Sequence, residues 1–251
     1  GKYSEAEKLN RRALEGREKK LRVQHPSTLT SVSNLALVLR YQEKYSEAEK
    51  LNQGALIGKE KELEVQHPNT LISVSNLALV LRYQGKYLET EKLNRRALEE
   101  REKELRVQHP SMLTSISNLA LVLQYQGKYL EAEKLNQRAL KESEKELEVQ
   151  HPSTLTSVNN LALVLQYQRK YSETEKLNQR ALEGREKELG VQHPNTLTSV
   201  SNLALVLRYQ GKYSEAEKLN RGALEGYEKE LGVQHPNTLT SIYNLAYLLH
   251  K

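Results

Sequence analysis

Residues 25–66 read HPSTLTSVSNLALVLRYQEKYSEAEKLNQGALIGKEKELEVQ, and closely similar sequence fills the rest of the chain. The copies follow one another without insertion or deletion, so that equivalent tyrosines lie 42 residues apart. These tyrosines are Tyr3, Tyr45, Tyr87, Tyr129, Tyr171 and Tyr213. A spacing repeated this strictly predicts an array of identical structural units, each packed against the units beside it.

The first half of each copy has the pattern of an amphipathic helix, here called helix A. In the copy quoted above we predict it over Pro26 to Tyr41. Its apolar positions are Leu29, Val32, Leu35 and Leu39. Because these positions recur at three- and four-residue steps, they share one face of the helix.

The second half predicts another helix, here called helix B, from about Ser46 to Glu64. Tyr45, Ala48, Leu51 and Leu63 mark its buried side. Its outer face carries glutamate–cation pairs four residues apart, namely Glu7–Arg11, Glu91–Arg95, Glu99–Lys103 and Glu183–Lys187. Because the link from helix A to helix B is short, the two helices are predicted to be antiparallel neighbours.

The link from helix B back to helix A contains Val-Gln-His-Pro in every copy. Pro26 suits a first helical turn, and His25 or Ser27 is the candidate N-cap. The equivalent histidines are His25, His67, His109, His151, His193 and His235. Each stands alone in its copy, without a second ligand at metal-binding spacing, so we predict loop caps and no metal site.

Composition excludes most kinds of catalytic site. The 251 residues include no Cys, and every acidic residue is a Glu. The chain therefore has no Ser-His-Asp triad, no aspartic dyad, no reactive thiol and no thiolate metal site. We predict that it has no catalytic residues, needs no cofactor and is not an enzyme.

Charge and hydropathy bear on partners and location. The net charge is +6, but the glutamates are spread among the lysines, and no basic stripe of the kind that nucleic-acid binding requires is present. No apolar run approaches the roughly 20 residues of a membrane span. We therefore expect no nucleic-acid or membrane partner. The lack of Cys makes a cytoplasmic location the simplest expectation.

These residues resemble the tetratricopeptide repeat in the 42-residue form found in kinesin light chains. The resemblance rests on Asn34-Leu35-Ala36, Lys44-Tyr45, Ala48, Leu51 and Ala55-Leu56, and on the His-Pro tail at His67-Pro68. It implies an all-α fold, a right-handed α-solenoid (superhelix) of antiparallel helix pairs. It also implies that the small residues Ala36, Ala48 and Ala55 pack helix A against helix B.

The near-identity of the copies is most similar to the repeat arrays of fungal NOD-like, NB-ARC-type receptors. That resemblance implies a ligand-sensing array within a larger intracellular receptor. We further expect one repeat domain over 1–251, with five complete copies between a lone helix B at 1–24 and a lone helix A at 235–251. The complete copies span 25–66, 67–108, 109–150, 151–192 and 193–234.

Helix B departs from the family pattern at three columns. The residue after Leu51 is Asn in every copy (Asn10, Asn52, Asn94, Asn136, Asn178, Asn220). Thr90 and Thr174 replace a small residue, and glycines stand within helix B at Gly16, Gly58, Gly184 and Gly226. We predict a structural role for the Asn column, because each buried amide needs a local partner. Each glycine is expected to cost up to about 1 kcal/mol of helix stability.

The resemblance implies that helix A lines a concave groove that holds a ligand. The predicted groove positions are Ser33, Asn34, Leu37, Arg40, Tyr41, Ser75, Asn76, Leu79, Arg82, Tyr83, Ser117, Asn118, Leu121, Gln124, Tyr125, Asn159, Asn160, Leu163, Gln166, Tyr167, Ser201, Asn202, Leu205, Arg208, Tyr209 and Asn244. An Asn amide both donates and accepts, which suits the backbone of an extended peptide. The alternative is that these amides only satisfy nearby backbone groups.

We therefore predict a scaffold whose partner is a protein or an extended peptide, with acidic segments preferred because of the arginines. The alternative function is a cargo adaptor, or a structural array that associates end to end through uncovered terminal helices.

Overall fold

The computed structural model describes residues 2–104 and 110–250, which form twelve α-helices and no strand. By contact density the chain divides into two compact units, 1–126 and 127–251. The first unit contains α1 (Lys2–Lys20), α2 (Pro26–Tyr41), α3 (Tyr45–Glu62), α4 (Pro68–Tyr83), α5 (Tyr87–Glu104) and α6 (Pro110–Tyr125). The second contains α7 (Tyr129–Glu146), α8 (Pro152–Tyr167), α9 (Tyr171–Leu189), α10 (Pro194–Tyr209), α11 (Tyr213–Leu231) and α12 (Pro236–Leu249). Within each unit every helix packs against the next in the chain, which confirms the predicted all-α fold of paired helices.

The even-numbered helices are helix A, and their bounds agree with the prediction. Pro26 occupies the first turn of α2, and the Nδ1 atom of His25 accepts a hydrogen bond from the Ser27 backbone N–H at 3.2 Å. His67, His151, His193 and His235 cap α4, α8, α10 and α12 in the same way. The predicted capping role is confirmed for these five, whereas His109 lies outside the described residues.

The odd-numbered helices are helix B, and their ends differ slightly from the prediction. The third helix begins at Tyr45 and ends at Glu62, because the backbone of Leu63 is already extended. In the copies with Gly190 and Gly232, the helix continues for one more residue, through Leu189 and Leu231. Both glycines have φ of 84°, a left-handed conformation that closes a helix at low cost only for glycine.

The turn from helix A to helix B also requires a positive φ. Gly85 and Gly211 supply it with φ of 76° and 80°. In two copies a larger residue adopts the same conformation, Glu43 at 62° and Arg169 at 61°. Because a Cβ atom is crowded in this region, these two turns are strained relative to the glycine turns.

The core is built from short stretches of consecutive helices. In the first unit one cluster joins Leu35 and Leu39 of α2 with Ala48 of α3 and Val80 of α4, and Leu14 of α1 packs against it. The small residues Ala36, Ala48 and Ala55 are fully buried, as the resemblance implied. Along the described ranges no helix is both long enough and apolar enough to span a bilayer.

The second unit repeats this arrangement. One cluster takes Leu182 from α9, Leu203 and Val206 from α10, Ala216 from α11 and Leu248 from α12. Its buried members are leucine or smaller. Each of these two clusters takes residues from four successive helices, as expected for an array in which neighbouring units stabilise one another.

Three of the four glycines at the Gly58 position of helix B have a packing role that the sequence did not reveal. A Cβ atom at Gly58 would lie 2.7 Å from a methyl carbon of Leu29, and Gly184 and Gly226 face Leu155 and Leu197 equally closely. Nothing lies within 4 Å of the corresponding position at Gly16. The first three glycines thus let a leucine of the preceding helix A approach the backbone of helix B.

Ion pairs join successive copies at constant sequence separation. In the first unit the Lys44 ammonium lies 2.9 Å from Glu7, and that of Lys86 lies 2.8 Å from Glu49. In the second unit Lys170 pairs with Glu133 and Lys212 with Glu175, both at 2.9 Å.

The predicted pairs within helix B are partly confirmed. Glu7–Arg11 and Glu91–Arg95 form at 2.9 Å. The Lys103 ammonium contacts Glu100 at 2.7 Å, and this bond together with the charge of the predicted partner Glu99 raises the pKa of Lys103. The expected Glu183–Lys187 pair is replaced, since Glu183 accepts a hydrogen bond from Gln179 at 3.0 Å.

Candidate ligand groove

All the predicted ligand positions lie on the A helices, and some of their side chains are exposed to solvent in each unit. In the first unit Asn34 is exposed, and Asn76 and Asn118 are half-buried. The tyrosines that end helix A are exposed in both units (Tyr41, Tyr83, Tyr125, Tyr167 and Tyr209). We call this surface of each unit its A-helix face.

Each of these tyrosines is held in a stacked pair with the tyrosine that begins the preceding helix B. The rings of Tyr45 and Tyr83 are nearly parallel, with centroids 5.6 Å apart. Equivalent pairs are Tyr3–Tyr41, Tyr87–Tyr125, Tyr129–Tyr167 and Tyr171–Tyr209. Offset stacking of this kind stabilises successive copies against one another and fixes the exposed ring that borders the A-helix face.

Arginine side chains lie across these rings. The guanidinium of Arg40 is 4.6 Å from the Tyr41 centroid and 5.9 Å from that of Tyr83. That of Arg82 is 5.2 Å from the Tyr83 centroid. Stacking on a ring restrains each guanidinium while its N–H groups stay available for a carboxylate.

The helix B asparagines are buried and connect one copy to the next. The Nδ2 atom of Asn94 donates to the backbone carbonyl of Asn118 at 3.2 Å. In the second unit Asn136 and Asn178 donate to the carbonyls of Asn160 and Asn202, at 3.3 and 3.1 Å. These three contacts support the predicted structural role, because each joins a buried helix B amide to the backbone of a candidate groove asparagine in the next copy.

A recess lies between successive A helices, with a helix B asparagine as its floor. The recess between α4 and α6 has a volume of about 120 Å³ and is lined by Asn76, Arg82, Asn94 and Asn118, among others. The corresponding recess between α2 and α4, floored by Asn52, has only about 10 Å³. Sequence reasoning recognised the asparagine column but did not assign it to a cavity.

Several predicted groove residues already have partners. The hydroxyls of Ser33, Ser75 and Ser201 donate to the backbone carbonyl four residues earlier in their own helix. Asn159, with its amide oriented to satisfy both groups, accepts from Nη1 of Arg185 at 3.0 Å. Gln124 is only 9% exposed. These five side chains are poorly placed to contact a ligand first.

Arg185 of α9 and the equivalent Lys59 of α3 have a role that the sequence did not predict. The Nη1 atom of Arg185 donates to the Ser199 hydroxyl at 2.7 Å and to the Asn195 backbone carbonyl at 3.2 Å. Burial lowers the pKa of Arg185 and of its equivalent Lys59, which is 5% exposed. These cations bind the first turn of the following helix A, so we assign them to packing between copies.

No group of three or more potential metal ligands is found among the described residues. His25, His67, His151, His193 and His235 stand at helix starts, where Nδ1 accepts a hydrogen bond from a backbone N–H.

Comparison with known proteins identifies the repeat. A tetratricopeptide repeat model matches the chain over residues 1–61, 30–103, 67–145, 111–187, 153–229 and 199–251. No curated protein matches the sequence. The family match indicates no catalytic family.

Solved structures share the fold. The nearly identical TPR-like repeats of a Podosopora anserina protein named for kinesin light chain are 29% identical, with a TM-score of 0.73 over 82% of this chain and 98% of that one. BtubC (BKLC) from P. vanneervenii is 21% identical, with a TM-score of 0.72 over 94% and 91% of the two chains. The predicted similarity to kinesin-light-chain-type repeats is therefore confirmed.

A third protein, the quorum sensor NprR, has structures both without and with its cognate peptide. The apo quorum sensor NprR from B. thuringiensis is 15% identical, with a TM-score of 0.72 over 98% of this chain and 66% of that one. NprR in complex with its cognate peptide NprX has a TM-score of 0.60 at 17% identity, over 94% and 64% of the two chains. At this identity the likeness concerns the fold alone.

Proposed function

Because the chain belongs to the tetratricopeptide repeat family, we propose that it is a scaffold that binds an extended segment of another protein on its A-helix faces. The observation that carries the proposal is the asparagine at the same position of successive A helices within each unit, together with the exposed tyrosines that end α2, α4, α6, α8 and α10. Helices in contact are about 10 Å apart, which corresponds to roughly three residues of extended peptide. The row therefore offers an amide to every third peptide unit or so.

The charge of the face favours acidic segments. Arg40 and Arg82 in the first unit, and Arg208 in the second, present guanidiniums already oriented by stacking on tyrosines. Gln124 and Gln166 occupy the equivalent positions elsewhere, so the attraction is confined to particular copies. We expect carboxylates of the ligand to lie beside the arginines and neutral residues beside the glutamines.

The peptide bound by NprR supports this function by analogy of fold only. The resemblance to NOD-like receptor arrays leads us to propose further that the groove is the sensing part of a larger intracellular, cytoplasmic receptor. An adaptor that carries cargo would use the same face, and the two roles differ in the domains to which the array is joined.

A second candidate function is association between copies of this chain. The last helix exposes residues that are covered elsewhere, since Leu239 is 50% exposed whereas its equivalent Leu197 is 3% exposed. Ile242 and Leu249 are exposed on the same helix. A helix B from a second molecule, such as its α1, has the sequence that covers this surface in the inner copies.

Selection from a random peptide library on the immobilised protein tests the first proposal. We expect enriched peptides to bind with affinity that falls at least tenfold in Asn118→Ala and that weakens with salt and in Arg82→Glu. Lys50→Ala, an exposed residue of α3, is the matched control and should change nothing. Failure to enrich any peptide would contradict the proposal. Peptide affinity that is unaffected by Asn118→Ala, by Arg82→Glu and by salt would contradict it as well.

Light scattering tests the second candidate, because association between copies predicts an average mass that rises with protein concentration.

A further inference from the structure

The recess between α4 and α6 combines a buried amide with a charged rim. Asn94 of α5 forms its floor, Asn76 and Leu79 of α4 and Asn118 of α6 form its walls, and Arg82 lies at its opening. Asn94 is only 5% exposed, so a group that reaches its side chain must enter the recess.

The orientation of the floor amide is fixed by its own hydrogen bond. Nδ2 of Asn94 donates to the Asn118 carbonyl, and a carbonyl cannot donate in return. Since Asn94 also lines the recess, we infer that its Oδ1, which accepts no hydrogen bond among the described residues, faces that space. In the equivalent residues Asn52 and Asn220, which are 2% and 3% exposed, Oδ1 is buried without any donor among the described residues. Of these three recesses only the one at Asn94 has room for a donor from outside, whereas those at Asn52 and Asn220 are too small to admit one.

The position of the arginine accounts for the differences in recess volume. Arg40 lies over Tyr41 and Tyr83, and Arg208 lies over Tyr209 and over Tyr247, which stands at the Leu37 position of α12. Their recesses hold about 10 Å³ and no measurable space. Arg82 stacks on Tyr83 of its own helix, and its recess measures about 120 Å³. At about 30 Å³ per water molecule, this space suits a side chain of four or five heavy atoms.

We propose that the recess between α4 and α6 takes one neutral, hydrogen-bond-donating side chain of the bound segment, a carboxamide as in Asn or Gln. This inference rests on the proposed function of the A-helix face. The carboxamide N–H₂ donates to Oδ1 of Asn94, and its oxygen accepts from the guanidinium of Arg82.

Other side chains fit less well. A carboxylate has no proton to donate to Oδ1 and pairs with Arg82 outside the recess. An ammonium is disfavoured by the neighbouring guanidinium and by burial. A purely apolar group leaves the acceptor unpaired. The recess therefore adds a requirement for one amide to the general preference for acidic segments.

Propionamide is a probe of this site that does not depend on any peptide. We would titrate it into isotope-labelled protein and follow the side-chain amide resonances of Asn94 by NMR. The expected result is a saturable shift, with propionate at least about tenfold weaker because it cannot donate to Oδ1. Asn94→Leu should abolish binding, as detected at neighbouring resonances of the recess.

Two further variants keep the test independent of folding defects. Leu79→Phe fills the recess from its half-exposed wall without changing the floor, and should abolish the response. Asn10→Leu alters the same column in α1, where Nδ2 bonds to the Ala6 carbonyl of its own helix, and should leave the response intact. Equal responses to propionamide and propionate, a response that survives Leu79→Phe, or no shift at Asn94 would each overturn the inference.

The outcome also separates this inference from the function on which it rests. If selected peptides bind in an Asn118-dependent way but propionamide does not, only the amide recess is wrong. If propionamide binds as expected and no peptide is ever enriched, the recess stands and the peptide-binding function fails.

Discussion

Two glycines in α3, four residues apart, allow the packing role of the helix B glycines to be measured. Gly54 is exposed, and a Cβ atom added there would have nothing within 4 Å, whereas a Cβ atom at Gly58 would meet two methyl carbons of Leu29 at 2.7 and 2.9 Å. Alanine is favoured over glycine in a helix interior by about 1 kcal/mol. Gly54→Ala should therefore raise the free energy of unfolding by about that amount.

Gly58→Ala gains the same helix propensity but must displace Leu29. Ordinary carbon–carbon contacts lie near 3.5–4.0 Å, so the leucine has to move by about 1 Å. Leu29 is 4% exposed, and overpacking a core typically costs about 1–3 kcal/mol. Since the equivalent Leu71 remains buried in the copy that has Glu100 instead of glycine, the lower half of that range is expected. The net change should lie between no effect and about 1 kcal/mol of destabilisation.

The assay is unfolding in urea, monitored by far-ultraviolet circular dichroism. Because repeat arrays do not always unfold as one unit, amide hydrogen exchange in α2 and α3 gives a second, local measurement. In a Leu29→Ala background the clash is absent, so Gly58→Ala should become as favourable as Gly54→Ala. Equal stabilisation by the two glycine substitutions in the native background would refute the reasoning.

Three further predictions concern the contacts between copies. Glu43→Gly should stabilise the first unit by about 0.5–1 kcal/mol in urea unfolding, because it relieves the positive φ of 62°. Hydrogen bonds from Lys44 and Arg11 lower the pKa of Glu7 from 4.5 to about 2, so this pairing stabilises the fold above about pH 4.5 and is lost as the pH falls toward 2. Lys44→Met should reduce the loss of unfolding free energy between about pH 4.5 and pH 2 by no more than about 1 kcal/mol, since Lys44 is half exposed. An unchanged dependence of that free energy on pH would argue against the pair. Asn178→Ala should accelerate hydrogen exchange in α10 by removing the bond to the Asn202 carbonyl, and equal protection in wild type and variant would show that this bond contributes nothing.

The order and limits of the helices could be predicted because each depends on local sequence. Pro26 and His25 define the start of helix A through contacts within its own first turn, so no residue from another helix is needed. The end of helix B could not be predicted from helix propensity, since Glu62 and Leu63 both favour continuation. Where Glu64 or Glu148 follows the leucine, the leucine is already extended, whereas before Gly190 or Gly232 it remains helical.

The exposure of the candidate groove residues could be predicted only by column and not by individual residue. The exposed tyrosines and asparagines follow from the resemblance and from the helix period. Whether a given polar side chain is available depends on neighbours from other copies, as the contact of Asn159 with Arg185 shows. The recess volumes depend on the rotamers of Arg40 and Arg82, for which an almost identical sequence gives no signal.

The contacts between copies span constant separations, 37 residues for Glu7 and Lys44 and 24 residues for Asn94 and Asn118. If one whole period were deleted within a unit, each remaining glutamate or asparagine would meet a partner of the same chemistry. Unequal exchange between copies of the coding sequence can therefore lengthen or shorten the protein without a new interface having to evolve. The number of A helices can change in steps of one repeat, while the residue at a variable position, such as Arg82 or Gln124, depends on which copy is gained or lost.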